Sequence, residues 1–206
     1  FVESYKGDII NGYNRKDRHP DPNRMIKAYH QSTQTLNFLR SFSFGGYASI
    51  HNIDNWKLND SLIEKNNPYY RDIKNAIRFM KGLDINIDNP IFTQTKIFTG
   101  HEALLLQYES KLTRKDSVLK KYYGCSANFL WLGERTRTLD SPHLEYLEGI
   151  NNPIGIKISS KCSNNELVKI IKKLNPNNDY GRITLITRFG KEYIEDNLPR
   201  LIKVVK

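Results

Sequence analysis

Residues 129–137 read FLWLGERTR, and the fold turns on how this stretch is understood. Phe129 to Leu132 is a short, continuously apolar run, the pattern of a strand covered on both faces in a parallel sheet. Gly133 ends it, and Glu134, Arg135 and Arg137 follow at once. Two readings are open. The charges are the solvated end of an ordinary strand, or the strand delivers them into a site that needs charge.

Working outward, the same beat recurs. Ser141 with Pro142 behind it caps a helix after that strand. Ile154–Ile158 is a second apolar run. Ser163-Asn164-Asn165-Glu166 has the spacing of a capping box, and Leu167, Ile170, Ile171 and Leu174 then share one helical face. Ile183–Ile186 is a third run, followed by the stripe Ile194, Leu198, Leu201 and Val205, which Pro199 is expected to interrupt. Upstream, Thr95–Phe98 is expected as a strand, and His101 to Leu112 as a helix. Asp21-Pro22 opens a long helix with Met25, Tyr29, Ser32, Leu36 and Leu39 on one face and Gly45-Gly46 at its end. Tyr70, Ile73, Ile77 and Met80 mark another, stopped by Gly82. Asn52 to Asn67 reads as a connection with a short turn of helix.

Alternating strands and helices with continuously apolar strands define an α/β fold with a parallel sheet. No glycine-rich nucleotide fingerprint follows any strand, so a (β/α) barrel fits better than a dinucleotide-binding fold. The 206 residues suffice for one domain, and 38% hydrophobic content places the chain among folded proteins. No stretch approaches the roughly 20 apolar residues of a membrane span, and the N-terminus carries no signal-peptide pattern. Cys125 and Cys162 form no CxxC pair, which fits a reduced, intracellular protein. The net charge of +10 suits nucleic acid, an anionic membrane or phosphorylated metabolites. The basic residues are dispersed, with no block of five or six and no nucleic-acid motif, so small anions are served at least as well as a polynucleotide.

The strand ends narrow this further. Arg135 follows one strand, Lys157 lies inside the next, and Arg188 follows a third. In parallel α/β folds the carboxyl ends of the strands form the active face. Each arginine alone reads most simply as a surface residue. Lys157 does not, because a buried, unpaired ammonium costs several kcal/mol. The three together favour an anion site, with guanidinium forks for a carboxylate or phosphate and the lysine as a point charge. Glu134 could orient a cation or hold a water. His101-Glu102 could be an acid/base pair or a polar strand end.

Five blocks follow one another in a familiar order: SYKGDIINGY, DPNRMIKAYHQSTQTLNFLRSF, GHEALLLQYE, SANFLWLGERTRTLDSPHLEYLEGINNPIGIKI and LNPNNDYGRITLITRFG. Over essentially its whole length the chain resembles class II (plant-type) 3-deoxy-D-arabino-heptulosonate 7-phosphate synthases. The resemblance implies a (β/α)8 TIM-type barrel, of which residues 1–206 form a partial catalytic domain holding the middle strands and helices. It also implies a transferase that condenses phosphoenolpyruvate with erythrose 4-phosphate and releases phosphate, the first step of the shikimate pathway to chorismate and the aromatic amino acids.

By motif, Glu134, Arg135, Lys157 and Arg188 fall on phosphoenolpyruvate-binding positions, and Glu102 and Glu134 are the expected catalytic carboxylates. Asn128 stands where the family commonly has His. The family's divalent metal, manganese or cobalt, is expected to be held by residues outside this chain. The chain is therefore expected to be an internal fragment that is inactive alone and homo-oligomeric when complete. Its expected location is cytoplasmic, or plastidic in a plant, with no nucleic-acid or membrane partner. The alternatives are another sugar-phosphate aldolase or lyase on the same barrel, and a non-catalytic basic module that binds nucleic acid.

Overall fold

The computed structural model describes residues 7–47, 49–55 and 68–205. The chain divides into two compact units at Ile97/Phe98.

In the first unit, α1 (Pro22–Phe44) starts as expected, with the Asp21 carboxylate accepting from the Asn23 N–H at 3.0 Å and Pro22 in the first turn. It stops at Gly45, and Gly46 takes the left-handed φ of 77° that lets the chain turn away. Of the predicted face, Met25 and Leu36 are half-buried, whereas Tyr29 and Leu39 are exposed. A short 3-10 segment, Ile50–Asn55, supplies the expected turn of helix; the rest of that connection, 56–67, lies outside the described residues. The second helix, α2 (Pro68–Gly82), ends at the predicted glycine, and α3 (Pro90–Thr93) is a single turn capped by Asn89.

Thr95–Phe98 is not a strand. The Ser43 hydroxyl both donates to the Thr95 carbonyl and accepts from the Thr95 N–H, at 2.5 and 2.9 Å, so Thr95 has no backbone groups left for a neighbouring strand.

The second unit carries the sheet. Its elements run β1 (Gly100–Glu102), α4 (Leu106–Lys111), β2 (Thr113–Lys115), β3 (Tyr122–Gly124), β4 (Phe129–Leu132), α5 (Pro142–Gly149), β5 (Ile154–Ile158), α6 (Asn164–Leu174), β6 (Ile183–Thr187) and α7 (Ile194–Val205). Strands β1, β4, β5 and β6 pair in that order, all parallel. The antiparallel hairpin β2–β3 occupies the connection from β1 to β4. The expected helix from His101 is confined to α4, because His101 and Glu102 are drawn into the sheet by their pairing with Leu130 and Trp131. Pro199 lies inside α7 without ending it. Leu198 and Leu201, on either side, both pack on the core and hold the two halves together against a proline cost of about 3 kcal/mol.

Side chains alternate across each strand. Leu130 and Leu132, with Ile154, Ile156 and Ile158, face the helices, meeting Leu144 and Leu147 of α5 and Leu167, Ile170 and Leu174 of α6. Phe129, Trp131, Gly155 and Lys157 occupy the other face. Apolar residues on both faces explain the continuously hydrophobic strands. Gly155 lies opposite Trp131, and a Cβ there would meet the Trp131 Cβ at 2.7 Å, so only glycine admits the indole. At the amino end of the sheet, Arg182 donates to the carbonyls of Asn152 and Ile150, and burial pushes its pKa down. The architecture is mixed α/β with a parallel sheet, compatible with a TIM-barrel-type enzyme.

Candidate anion-binding cleft

The carboxyl ends of β1, β4, β5 and β6 open into a cleft of about 750 Å³. Its walls include Glu102, Glu134, Arg135, Lys157 and Arg188 of the residues singled out from the sequence, but not His101. Parallel register brings them together. Glu102 and Trp131 are partners across β1–β4, and Lys157 pairs with Ile186 across β5–β6. Arg188 leaves β6 with its N–H donated to the Ile158 carbonyl at 2.8 Å, which fixes where its side chain departs.

Lys157 has found its anion. Its ammonium donates to Glu102 Oε2 at 2.8 Å and lies 5.4 Å from the centre of the Trp131 ring, where the negative π face supports it. Both side chains are about one-fifth exposed, so the pair is screened only in part. The pair is also accessible to a ligand. Glu102 packs directly over Gly133, where a Cβ would lie 2.1 Å from its Oε1. Glu134 opens a 3-10 turn, Glu134–Thr136, and accepts a hydrogen bond from the Ser159 hydroxyl. Arg135 is exposed to the cleft.

His101 and Glu102 are not an acid/base pair. As neighbours on a strand they point to opposite faces. His101 Nε2 meets Glu109 Oε1 at 2.6 Å, and the Ser126 hydroxyl donates to the other oxygen at 2.5 Å. Glu109 is 2% exposed, a buried carboxylate on the single-turn-and-a-half helix α4 that hydrophobic periodicity could not single out. Tyr146 belongs to the same cluster, sharing a hydrogen bond with Thr113 at 2.9 Å, and burial raises its pKa. Asn128 accepts from the Thr99 N–H at 3.1 Å, a local role at the entry to β1.

Arg137 was visible in the sequence but not among the candidates. It is 4% exposed, lines the cleft, and donates through Nη1 to the Cys162 sulfur at 2.6 Å while pairing with Glu166 at 3.0 Å. Glu166 therefore does not complete the capping box. Ser163 caps α6 through the Glu166 N–H at 3.2 Å, but the Glu166 carboxylate turns to the arginine. Burial drives the Cys162 thiol upward in pKa, and Arg137 opposes this only in part. Among the described residues no group of three or more His, Cys, Asp or Glu side chains could hold a metal ion, so the donor set a divalent cation needs is not assembled here. No helix of the described residues is long and apolar enough to cross a membrane.

An α/β protein whose parallel strands end in one cleft lined by five basic and three acidic side chains has the charge to receive a small, highly charged anion. The Class-II DAHP synthetase family matches residues 1–206. The chain belongs to that family. It is 38% identical over 223 residues to a phospho-2-dehydro-3-deoxyheptonate aldolase of Neurospora crassa, covering 100% of this chain and 46% of the relative. A Streptomyces coelicolor protein of the same name is 39% identical over 210 residues, covering 99% and 46%. A probable chloroplastic phospho-2-dehydro-3-deoxyheptonate aldolase of Catharanthus roseus is 49% identical over 134 residues, 65% of this chain and 27% of the relative. The chain thus spans about half the length, or less, of these curated relatives.

Proposed function

We propose that the cleft binds phosphoenolpyruvate, and that the whole protein condenses it with erythrose 4-phosphate to 3-deoxy-D-arabino-heptulosonate 7-phosphate, opening the shikimate pathway to the aromatic amino acids. The observation that carries this reading is the presence of Arg135, Lys157 and Arg188, from three consecutive strands, in one cleft with Glu102 and Glu134. Phosphoenolpyruvate has two anionic ends, a carboxylate and a phosphate. Two guanidinium forks and an ammonium can hold both and neutralise the phosphate as it leaves.

The chemistry needs positioned charge and proton transfer. C3 of phosphoenolpyruvate forms a bond to the aldehyde carbon, and the aldehyde oxygen takes a proton. Water adds at C2 and loses a proton, and inorganic phosphate departs. Glu102 and Glu134 are the carboxylates at the strand exits that we assign to those proton movements. Glu102 also holds the Lys157 ammonium in place until the substrate anion arrives.

We further propose that the four parallel strands belong to a (β/α)8 barrel of which residues 1–206 are one part. The face that bears Phe129, Trp131 and Lys157 would then be its interior. The divalent cation, manganese or cobalt, would be bound outside these residues. The complete enzyme would be a cytoplasmic homo-oligomer, or plastidic in a plant, as the name of the Catharanthus relative supports.

Titration of this chain with phosphoenolpyruvate, followed by Trp131 fluorescence or calorimetry, tests the proposal. Saturable binding that is lost in Lys157→Met is the expected result. A chain that binds double-stranded DNA as tightly as phosphoenolpyruvate, with Lys157→Met unchanged, would return the choice to the basic-module reading.

A further inference from the structure

We propose that Arg137 is a positioning residue: it fixes the turn that carries Glu134 and Arg135 by tying it to the start of α6, and it does not itself hold the substrate anion. The inference rests on reading the cleft as a phosphoenolpyruvate site.

Arg137 is the residue directly after the Glu134–Thr136 turn. Its side chain is 5% exposed, and Nη1 is committed twice, to Cys162 Sγ at 2.6 Å and to Glu166 Oε1 at 3.0 Å. Cys162 ends the loop that leaves β5, and Glu166 lies in the first turn of α6. One guanidinium therefore joins the exit of β4 to the exit of β5, the two strands that supply Arg135 and Lys157. Ser159 joins the same two loops from the other side by donating to Glu134.

The electrostatics argue against a direct role. Arg137 has Glu166 as its counter-ion, so the pair presents no net charge to the cleft, whereas Arg135 is exposed to it. Nε of Arg137 is buried with no hydrogen-bond partner among the described residues. A buried donor left unmade is costly, and it is tolerated here for a guanidinium whose far end must reach a fixed pair of acceptors. Among the described residues Arg135 has no such tether of its own. Its aim depends on the backbone of the turn, which Arg137 braces together with the Thr136 hydroxyl on the Gly133 carbonyl and the Ser141 hydroxyl on the Thr136 carbonyl.

The test is a double-mutant cycle on this chain, with phosphoenolpyruvate binding and amide hydrogen exchange at residues 133–137 as readouts. Arg137→Ala should weaken binding about tenfold and speed exchange in the turn, with Arg137→Lys restoring part of both losses. Because Arg137 acts in part through Arg135, Arg137→Ala should cost less binding in an Arg135→Ala chain than in the parent. Glu166→Gln should weaken binding, since it loosens the tether.

Three results would overturn the proposal: additive losses in the cycle, tighter binding in Glu166→Gln, or an Arg137→Ala chain within twofold of the parent. Should Arg137→Ala fail to fold by circular dichroism, Arg137→Lys is judged by the same criteria. A parent chain that binds no phosphoenolpyruvate, or an Arg135→Ala chain that binds it normally, refutes the proposed function instead. The tether is then decided by hydrogen exchange alone, and unchanged exchange in the Arg137 variants refutes it.

Discussion

Replacing Gly155 by alanine adds one methyl group to the face of β5 that bears the site. The added Cβ would stand 2.7 Å from Trp131 Cβ, 2.8 Å from Phe129 Cζ and 2.8 Å from Ile186 Cδ1. Carbon atoms prefer about 3.5–4.0 Å, so each neighbour must retreat by roughly 1 Å. The ends of Phe129 and Ile186 can rotate away. Trp131 Cβ cannot, because it is one bond from a backbone paired to β5 at that very residue. Overpacking of this kind costs about 1–3 kcal/mol, and the entropic gain of Gly→Ala returns about 0.4–1 kcal/mol. The net loss spans about 0–2.6 kcal/mol and centres near 1.3 kcal/mol, a Tm lower by roughly 5–10 °C for a domain of about 100 residues. Gly149→Ala is the control: nothing lies within 4 Å of its added Cβ, so stability should hold or rise. Thermal unfolding by circular dichroism measures both. A Gly155→Ala chain that melts at or above the parent refutes the close strand approach.

In the complete enzyme, Arg135→Lys keeps the charge but loses the fork. One charge-assisted bond, about 1.5–3 kcal/mol, predicts a loss of roughly 10- to 150-fold in kcat/KM for phosphoenolpyruvate, with less effect on erythrose 4-phosphate. If, as proposed, the cation is held outside these residues, the purified chain given manganese and both substrates should form no measurable heptulosonate phosphate. The thiol of Cys162 and the phenol of Tyr146 are both raised by burial above their ordinary values of 9.0 and 10.0. The unfolded chain therefore releases these protons first, so the contribution of these two groups to stability should be level well below pH 9 and fall as pH climbs above it; Cys162→Ala should flatten the first part of that fall in a Tm-versus-pH series.

The elements that the sequence made legible are those that bury a continuous apolar stripe and carry their own punctuation. β4, β5 and β6 were expected within a residue because their strands are hydrophobic on both faces. α5 and α6 were expected because Ser141 and Ser163 cap them through side chains that the structure shows accepting the predicted N–H groups. β1 was misplaced because Gly100-His101-Glu102 contains no apolar side chain; it is a strand only because β4 lies beside it. Three polar residues paired to a buried neighbour leave no trace in periodicity. The β2–β3 hairpin is likewise short and charged. Its one local signal is Asp116, whose carboxylate accepts from the Val118 and Leu119 N–H groups while Lys120 takes a left-handed φ of 59°.

The same contrast holds for the site. Lys157 was legible because an ammonium inside an apolar strand demands a partner, and that demand is a statement about one residue and its immediate neighbours. Its partner was not equally legible. Glu102 lies 55 positions away, and only the β1–β4–β5 order brings it within 2.8 Å. Arg137 and Glu109 show the limit from the other side. Each is a charged residue in a polar stretch, unremarked by composition, and each is buried because a distant group receives it: Cys162 and Glu166 for the arginine, His101 and Ser126 for the carboxylate. A strand's period of two then assigns the labour. Leu130, Ile156 and Ile158 hold the helices, and Lys157, one residue out of phase, lines the cleft with its ammonium over Trp131. Substitutions at the first set should therefore act on stability, and those at the second on anion binding. Gly155 stands apart because it lies in phase with the cleft residues and yet should act on stability: its missing side chain leaves room for Trp131, Phe129 and Ile186.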